Sequence, residues 1–326
     1  MVSPKTEGSR GVTAWAVLAA WLTAIAATAS IASAGASAGR VSWTVQPPLP
    51  TARGGSASAV LGGKIYVLGG LTSGEANTLA SAQVYDPRSR QWRTLPPMRT
   101  SRGFLGAASV DGKIYAIGGQ DASGLALKRV ESYDPAKRGW TNDAPLPAAT
   151  CCVGAVAAAG RIYVVGGNNT AGAALARLEI YNPKTNHWTR GPSMPTARGL
   201  PGVAWSRNRL YVIGGLVNSY GVDTVEAYDP TTHTWQTEAP IRTPRSHPAV
   251  GTLSDGRIIV AGGGPVPGTA DVEIYTPSSN SWQQLTALPK ASIPTGAVLN
   301  GKTFYVLGGW VGQLNASRSV YAAAIP

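Results

Sequence analysis

The chain has 326 residues, of which 13% are charged and 44% are hydrophobic, and this composition excludes a disordered tail or a coiled coil. Its 40 glycines and 24 prolines suit a fold with many tight turns and favour an all-β protein. The excess of 28 basic over 16 acidic residues gives a formal net charge of +12, which should attract anions and repel basic partners.

The N-terminal segment has the pattern of an export signal. Lys5 and Arg10 precede a long apolar run, and two A-x-A sites follow, the second ending at Ala38. The pattern predicts a signal peptide over residues 1–38 and a mature domain over residues 39–326. Because the apolar run could also span a bilayer, an uncleaved membrane anchor stays open. We therefore expect a secreted, cell-envelope or periplasmic protein that contacts membranes only through this segment and does not have nucleic acid as a partner.

A six-fold repeat dominates the rest of the chain. Six apolar runs end in paired glycines, and the first glycines stand 49, 48, 48, 48 and 46 residues apart: Gly69, Gly118, Gly166, Gly214, Gly262 and Gly308. A tyrosine follows each pair: Tyr85, Tyr133, Tyr181, Tyr228, Tyr275 and Tyr321. Seven residues after five of these tyrosines comes a tryptophan: Trp92, Trp140, Trp188, Trp235 and Trp282. Each unit holds four short runs separated by turn signals, which predict four antiparallel strands, a to d. Because one such sheet cannot bury both faces alone, the six sheets should stack radially.

The two ends of the chain predict how the ring closes. Trp43 lies in a strand d that has no a, b or c before it, while the last unit stops after strand c at Tyr321. The N-terminal strand should therefore complete the last sheet, which removes two edges that would otherwise invite aggregation.

This pattern of paired glycine, tyrosine and tryptophan resembles the kelch repeat, over roughly residues 41–321. The resemblance implies an all-β, six-bladed kelch-type β-propeller with four antiparallel strands per blade, the last blade being closed by the N-terminal strand.

Several side chains at repeated positions are expected to serve the scaffold. A glutamate stands two residues before four of the strand c tyrosines, which predicts a structural hydrogen bond or ion pair: Glu131, Glu179, Glu226 and Glu273. The two cysteines, Cys151 and Cys152, are adjacent, and we interpret them as buried strand residues rather than a vicinal disulfide. The three histidines do not converge with other ligands, so neither a metal site nor a cofactor is expected.

Arginines recur sixteen residues before the paired glycines. They are Arg53, Arg102 and Arg198, with Arg245 beside the corresponding serine of unit five, whereas units three and six carry Thr150 and Ser292. Strand a begins and strand b ends on the same rim of a blade, so these guanidinium groups should ring one mouth of the central channel. Guanidinium binds carboxylates in bidentate fashion. In the kelch adaptors of ubiquitin ligases, arginines at this place grip acidic peptides, and the resemblance implies the same role here. The recurrence fits equally an ion pair with the recurrent glutamate of a neighbouring blade or a bond to a backbone carbonyl, and that alternative stays open.

The loops between strands b and c should share this mouth. They contribute Asn168, Tyr220 and Trp310, which we predict to bind ligand together with the four arginines. Amides and flat aromatic rings suit a sugar ring or a peptide.

These features favour an exported, non-enzymatic, monomeric recognition module for an acidic saccharide, an acidic peptide or another surface protein. A second hypothesis is an enzyme, because the chain resembles the sialic acid mutarotases in size, export and architecture. That chemistry needs a general base beside an arginine, and Glu75 or Asp121 with Arg53 or Arg102 could supply it. A third is a structural envelope or adhesion protein.

Overall fold

The computed structural model describes residues 39–72, 77–294 and 296–326, and for residues 296–300 it describes the backbone only. The predicted signal peptide over residues 1–38 and the candidate base Glu75 lie outside the described residues. Within them, no helix is long and apolar enough to cross a membrane.

The described residues form six four-stranded antiparallel sheets, which we call blades one to six. Strand β1 (Thr44–Val45) comes first in the chain. Blade one has β2 (Ala57–Leu61), β3 (Lys64–Leu68), β4 (Ala82–Asp86) and β5 (Gln91–Leu95). Blade two has β6 (Gly106–Val110), β7 (Lys113–Ile117), β8 (Val130–Asp134) and β9 (Gly139–Asn142). Blade three has β10 (Gly154–Ala158), β11 (Arg161–Val165), β12 (Leu178–Asn182) and β13 (His187–Gly191). Blade four has β14 (Gly202–Ser206) and β15 (Arg209–Ile213), a two-stranded ribbon of β16 (Leu216–Val217) and β17 (Tyr220–Gly221), then β18 (Val225–Asp229) and β19 (Thr234–Glu238). Blade five has β20 (Ala249–Thr252), β21 (Ile258–Ala261), β22 (Val272–Thr276) and β23 (Ser281–Leu285). Blade six has β24 (Gly296–Asn300) and β25 (Thr303–Leu307), a ribbon of β26 (Trp310–Val311) and β27 (Asn315–Ala316), then β28 (Val320–Ala324).

The ring closes as the sequence predicts. Strand β1 pairs antiparallel with β28, Thr44 opposite Ala322 and Val45 opposite Tyr321, so blade six has the order β24, β25, β28, β1. The Trp43 indole donates a hydrogen bond of 3.1 Å to the carbonyl of Thr286 in blade five. The six-bladed propeller and its closure by the N-terminal strand are confirmed.

The strand d tryptophans fasten each blade to the one before it. In blades one to five the indole lies beside the strand c tyrosine of its own blade, as for Tyr181 and Trp188 at 4.8 Å between ring centroids, whereas Trp43 contacts Phe304. The indole N–H then reaches a carbonyl of the preceding blade, at 2.9 Å for Trp188 to Ala144 and at 2.7 Å for Trp282 to Ala239. This contact explains why tryptophan recurs at one place in every unit.

The paired glycines let neighbouring blades approach. Gly118 has φ +59°, and a Cβ there would lie 2.4 Å from the carbonyl oxygen of Thr150 in the next blade. Its partner Gly119 has φ +95° and donates its N–H to that same carbonyl at 3.0 Å. Only glycine meets both requirements, since any side chain would push the blades apart.

Candidate functional site

The four arginines expected to ring the mouth lie inside the blades. Arg53, Arg102, Arg198 and Arg245 each have 0% of their surface exposed. The Nη1 of Arg102 donates to the carbonyls of Gly118 at 3.0 Å and Arg129 at 2.7 Å, where strand b ends and strand c begins. Arg53 makes the equivalent bond to Gly69 at 2.9 Å. These guanidinium groups join backbone carbonyls within one blade, so the prediction that they line the mouth is wrong.

Three of these arginines also pair with the recurrent glutamates. Arg102 lies 3.1 Å from Glu131 and Arg198 lies 2.9 Å from Glu226, while Arg245 pairs with Glu273. The structural ion pair predicted for these three glutamates is confirmed, but it joins residues of one blade, whereas the alternative left open for the arginines was a pair with the glutamate of a neighbouring blade. Such pairs satisfy charges that would be costly to bury alone.

Burial shifts the pKa values of these buried arginines. It lowers the pKa of Arg53 and of Arg102 to about 10, the nearby Glu131 opposing the shift for Arg102. A guanidinium with this pKa stays charged at neutral pH, so Arg53 and Arg102 carry their charge inside the blades.

The other predicted ligand residues are spread between interior and surface. Asn168 is 4% exposed and donates through Nδ2 to the carbonyl of Gly172 at 2.9 Å, which closes its own loop. Trp310 is 3% exposed and packs on Gly54, where a Cβ would lie 2.0 Å from the indole. Tyr220 is 64% exposed at the tip of the β16–β17 ribbon, and its contact with a ligand stays a prediction.

The expected mouth is closed by a floor of side chains. Equivalent residues at the start of strand a have φ between +49° and +61° and form a chain of hydrogen bonds from blade to blade: Gly55, Phe104, Cys152, Leu200 and His247. The N–H of Phe104 donates to Gly55 at 2.6 Å, and the series ends with His247 donating to Leu200 at 2.7 Å. A hydrophobic cluster covers this end of the axis and includes Leu71, Phe104, Cys151, Cys152, Leu200 and Trp310. The two cysteines are buried, as predicted, and their Sγ atoms lie 3.1 Å apart, but they precede strand β10 rather than lying in it.

The opposite end of the axis is open. Strands β2, β6, β10, β14 and β20 enclose a well of about 390 Å³, and the a–b hairpins that follow these strands contain exposed residues. The well exists because many of the side chains that line it are small, among them Ala107 and Ala157. Hydroxyl groups on its wall come from Ser58, Ser109 and Thr252. Trp205 also lines the well and stacks on Tyr163 at 4.9 Å between centroids. The volume falls within the range of ordinary ligand pockets.

Basic residues surround this open end, and we call them the basic rim. A lysine or arginine begins strand b, or directly precedes it, in every blade, and a further arginine lies in the β14–β15 turn: Lys64, Lys113, Arg161, Arg207, Arg209, Arg257 and Lys302. Three of the seven are in ion pairs, Lys64 with Asp86 at 3.4 Å, Arg209 with Glu238 at 2.8 Å and Arg257 with Asp255 at 2.7 Å. Among the described residues, the other four have no carboxylate within 4.0 Å.

Sequence reasoning missed the basic rim, although its signal is visible. Every a–b turn is followed by a cation, as in Gly63-Lys64, Gly112-Lys113 and Gly160-Arg161. The recurrence alone does not show that the channel is open at this end of strand a. Within the described residues, no group of three metal-binding side chains is found.

Comparisons with known proteins agree with this architecture. A family model described as the KLHDC2/KLHL20/DRC7 Kelch-repeats domain matches residues 107–309, and a Kelch motif model matches residues 52–99. A solved structure entitled "Structure of YjhT" is similar, with a TM-score of 0.72 and 18% identity over 85% of this chain and 96% of that chain. No curated protein sequence matches significantly. At this identity the structural likeness concerns the fold.

Proposed function

Because the chain belongs to the kelch-repeat β-propeller family, we propose that it is an exported recognition module whose open well and basic rim bind an acidic saccharide or an acidic peptide. The observation that carries the proposal is the basic rim, whose seven cations lie at the a–b hairpins that border the open end, outside the residues that line the well. The site therefore lies at the opposite mouth from the one that the arginine recurrence predicts.

The charges of the rim favour an anionic ligand. Lys113, Arg161, Arg207 and Lys302 have no ion pair among the described residues, so their charge is free to act on a ligand. An anion about 10 Å from one such cation gains about 1–2 kcal/mol at an effective dielectric constant near 20. Several cations acting together raise both the local concentration of anions and their rate of association.

The wall of the well supports a sugar or a peptide as the ligand. Its hydroxyls at Ser58, Ser109 and Thr252 and the inner edge of each strand a offer hydrogen-bond donors and acceptors. The indole of Trp205 adds a flat apolar surface. A mixed surface of this kind suits a ligand with a hydroxylated or amide backbone and charged substituents.

The structure offers less support for the enzymatic hypothesis. Of its two candidate bases, Asp121 uses its Oδ1 to accept the N–H groups of Ser123 at 2.8 Å and Leu125 at 3.1 Å, so it stabilises its own turn. The arginines proposed to assist it are enclosed within their blades. The recognition module is therefore the function we adopt.

Binding of two acidic probes tests this proposal. Calorimetric titration with N-acetylneuraminate and with a poly-glutamate peptide should give affinities that fall as salt is added. The double variant Lys113→Gln/Arg161→Gln should bind at least about 30-fold more weakly, because two rim charges worth about 1–2 kcal/mol each are lost. The matched control, Lys128→Gln/Arg129→Gln, removes two exposed cations at the closed end and should bind as the wild type does. Equal loss in both double variants, or no binding of either probe, would contradict the proposal. Anomer exchange of N-acetylneuraminate above the spontaneous rate would instead support the enzyme.

A further inference from the structure

Blade three lacks the buried cation that four other blades contain. The side chain sixteen or seventeen residues before the paired glycine is arginine in blades one, two, four and five, whereas it is Thr150 in blade three and Ser292 in blade six. The side chain two before the strand c tyrosine is Gln83 in blade one and Ser319 in blade six, and it is glutamate in the other four blades. Blade three is therefore the blade that keeps the glutamate, Glu179, without the arginine.

A small cavity lies where the guanidinium would be. Its walls include Thr150, Val164, Gly166, Arg177 and Glu179. The centre of a water-sized sphere can move within about 10 Å³ of this cavity, so it holds about one occupant of that size. A cavity of similar size lies at the same place in blade six, where Ser292 and Ser319 line it and no carboxylate is present.

The acceptors that hold a guanidinium in other blades are retained around this cavity. Arg198 of blade four donates to the carbonyls of Thr224 and Val212, each at 3.2 Å, and to Glu226. The equivalent residues of blade three are Arg177, Val164 and Glu179, and all three line the cavity. The Thr150 hydroxyl does not replace the missing donor, because it donates to the carbonyl of Ala148 at 3.0 Å.

Glu179 has lost its second partner as well. In blades two and five, the glutamate also accepts a backbone N–H, from Arg99 at 2.7 Å and from Arg242 at 3.0 Å. The corresponding residue of blade three is Pro147, which has no N–H. Glu179 is 8% exposed, and among the described residues its carboxylate accepts no hydrogen bond. Burying an unpartnered carboxylate is costly, so a cationic occupant would be stabilising.

Two arginines near Glu179 must be considered as rivals for its carboxylate. Arg177 is half-buried at the cavity wall, and Arg190 is exposed and lies opposite Glu179 in the β12–β13 pairing. Among the described residues, neither has a guanidinium nitrogen within 4.0 Å of the carboxylate. Burial raises the pKa of Glu179, and the charges of Arg190 and Arg177 act against this shift.

We propose that this cavity is a binding site for a small monovalent cation of the size of ammonium or K⁺, held by Glu179 and by the carbonyls of Val164, Gly166 and Arg177. The ligand class follows from the blade comparison, since the equivalent acceptors bind a guanidinium in blades two, four and five. The size follows from the space, because ammonium and K⁺ are about as large as a water molecule. A single carboxylate balances a single positive charge. This site is separate from the well, so its test is independent of the proposed function.

Thermal unfolding in matched chloride salts tests the site. For the wild type, ammonium or potassium chloride should raise the Tm by about 2–4 °C relative to tetramethylammonium chloride at equal ionic strength. Thr150→Arg should supply the missing guanidinium, raising the Tm in tetramethylammonium chloride and abolishing the response to the smaller cations. Glu179→Gln should abolish the response without filling the cavity, and this variant keeps the test decisive if Thr150→Arg fails to fold.

The variant Arg190→Gln separates the proposal from its main rival. If Glu179 binds a cation, this variant should keep the response or strengthen it, because a competing charge has been removed. A wild type that melts alike in all three chlorides, or a response that persists in Glu179→Gln, would overturn the proposal. A lower Tm of Arg190→Gln combined with an unresponsive wild type would show Arg190 to be the true partner of Glu179.

Discussion

Replacing Arg198 by methionine tests whether the buried arginines serve the scaffold. The change removes the ion pair with Glu226 at 2.9 Å and the bonds to the carbonyls of Val212 and Thr224, each at 3.2 Å. Glu226 then keeps the Thr196 hydroxyl at 2.7 Å as its partner while its charge stays buried. We expect the variant to fold with markedly lower stability.

The size of the effect follows from the uncompensated charge. Removing one member of a buried ion pair costs about 3–5 kcal/mol. For a domain of this length, each kcal/mol corresponds to a change in Tm of about 2 °C, so we expect Arg198→Met to melt about 6–10 °C lower than the wild type. The double variant Arg198→Met/Glu226→Gln removes both charges and should recover about 1–3 kcal/mol of that loss.

Circular dichroism melts at pH 7, combined with the anion titration, distinguish a scaffold role from a binding role. Arg93→Met is the control, because it removes an exposed arginine of a strand d and should change the Tm little. Below its melting temperature, Arg198→Met should bind the acidic probes as the wild type does. A variant with wild-type Tm and abolished anion binding would refute the scaffold role and restore the role in ligand binding.

Three further perturbations have defined outcomes. Deleting Val41–Pro50 removes strand β1 and the Trp43 contact, so the ring should open. Size-exclusion chromatography should then report a larger radius. A truncated protein that melts like the intact chain would contradict the closure of the ring by strand β1. Burial lowers the pKa of His247 to about 4, below the value near 6.5 in the unfolded chain, so the stability of the fold should fall as the pH drops from about 6.5 toward 4. The variant His247→Gln should flatten this part of the pH profile of stability. An unchanged slope in the variant would exclude His247 as the source of the pH dependence. Gly54→Ala places a Cβ 2.0 Å from the indole of Trp310, so chemical denaturation should reveal a loss of at least about 1 kcal/mol, and an unchanged midpoint would mean that the indole can move aside.

The repeat pattern predicted the architecture because packing imposes the same requirement on every blade. The φ values of Gly118 and Gly119 and the bond from Trp188 to Ala144 each answer a local constraint that recurs six times around the ring. Because the same requirement recurs in every blade, it appears in the sequence as a regular spacing of the same residue type. Short turns between consecutive strands then set the strand order.

The site could not be predicted in the same way. Recurrence located Arg102 along the chain but did not reveal the direction of its side chain, which turns inward and donates to the carbonyls of Gly118 and Arg129. Trp310 was predicted to bind ligand because it stands outside the repeat, yet it fills the space left by Gly54. The basic rim repeats as regularly as the arginines do. Only the three-dimensional structure reveals which of the two ends is open.

The floor built from Phe104, Cys152, Leu200 and His247 makes the central space a cup rather than a pipe. A polymer cannot be threaded through it, so whatever reaches the bottom must arrive tip first and leave by the way it came. For the acidic saccharide or peptide proposed as the ligand, a cup of this shape would admit chain termini, terminal sugar units and short side branches, but not the interior of a long polymer.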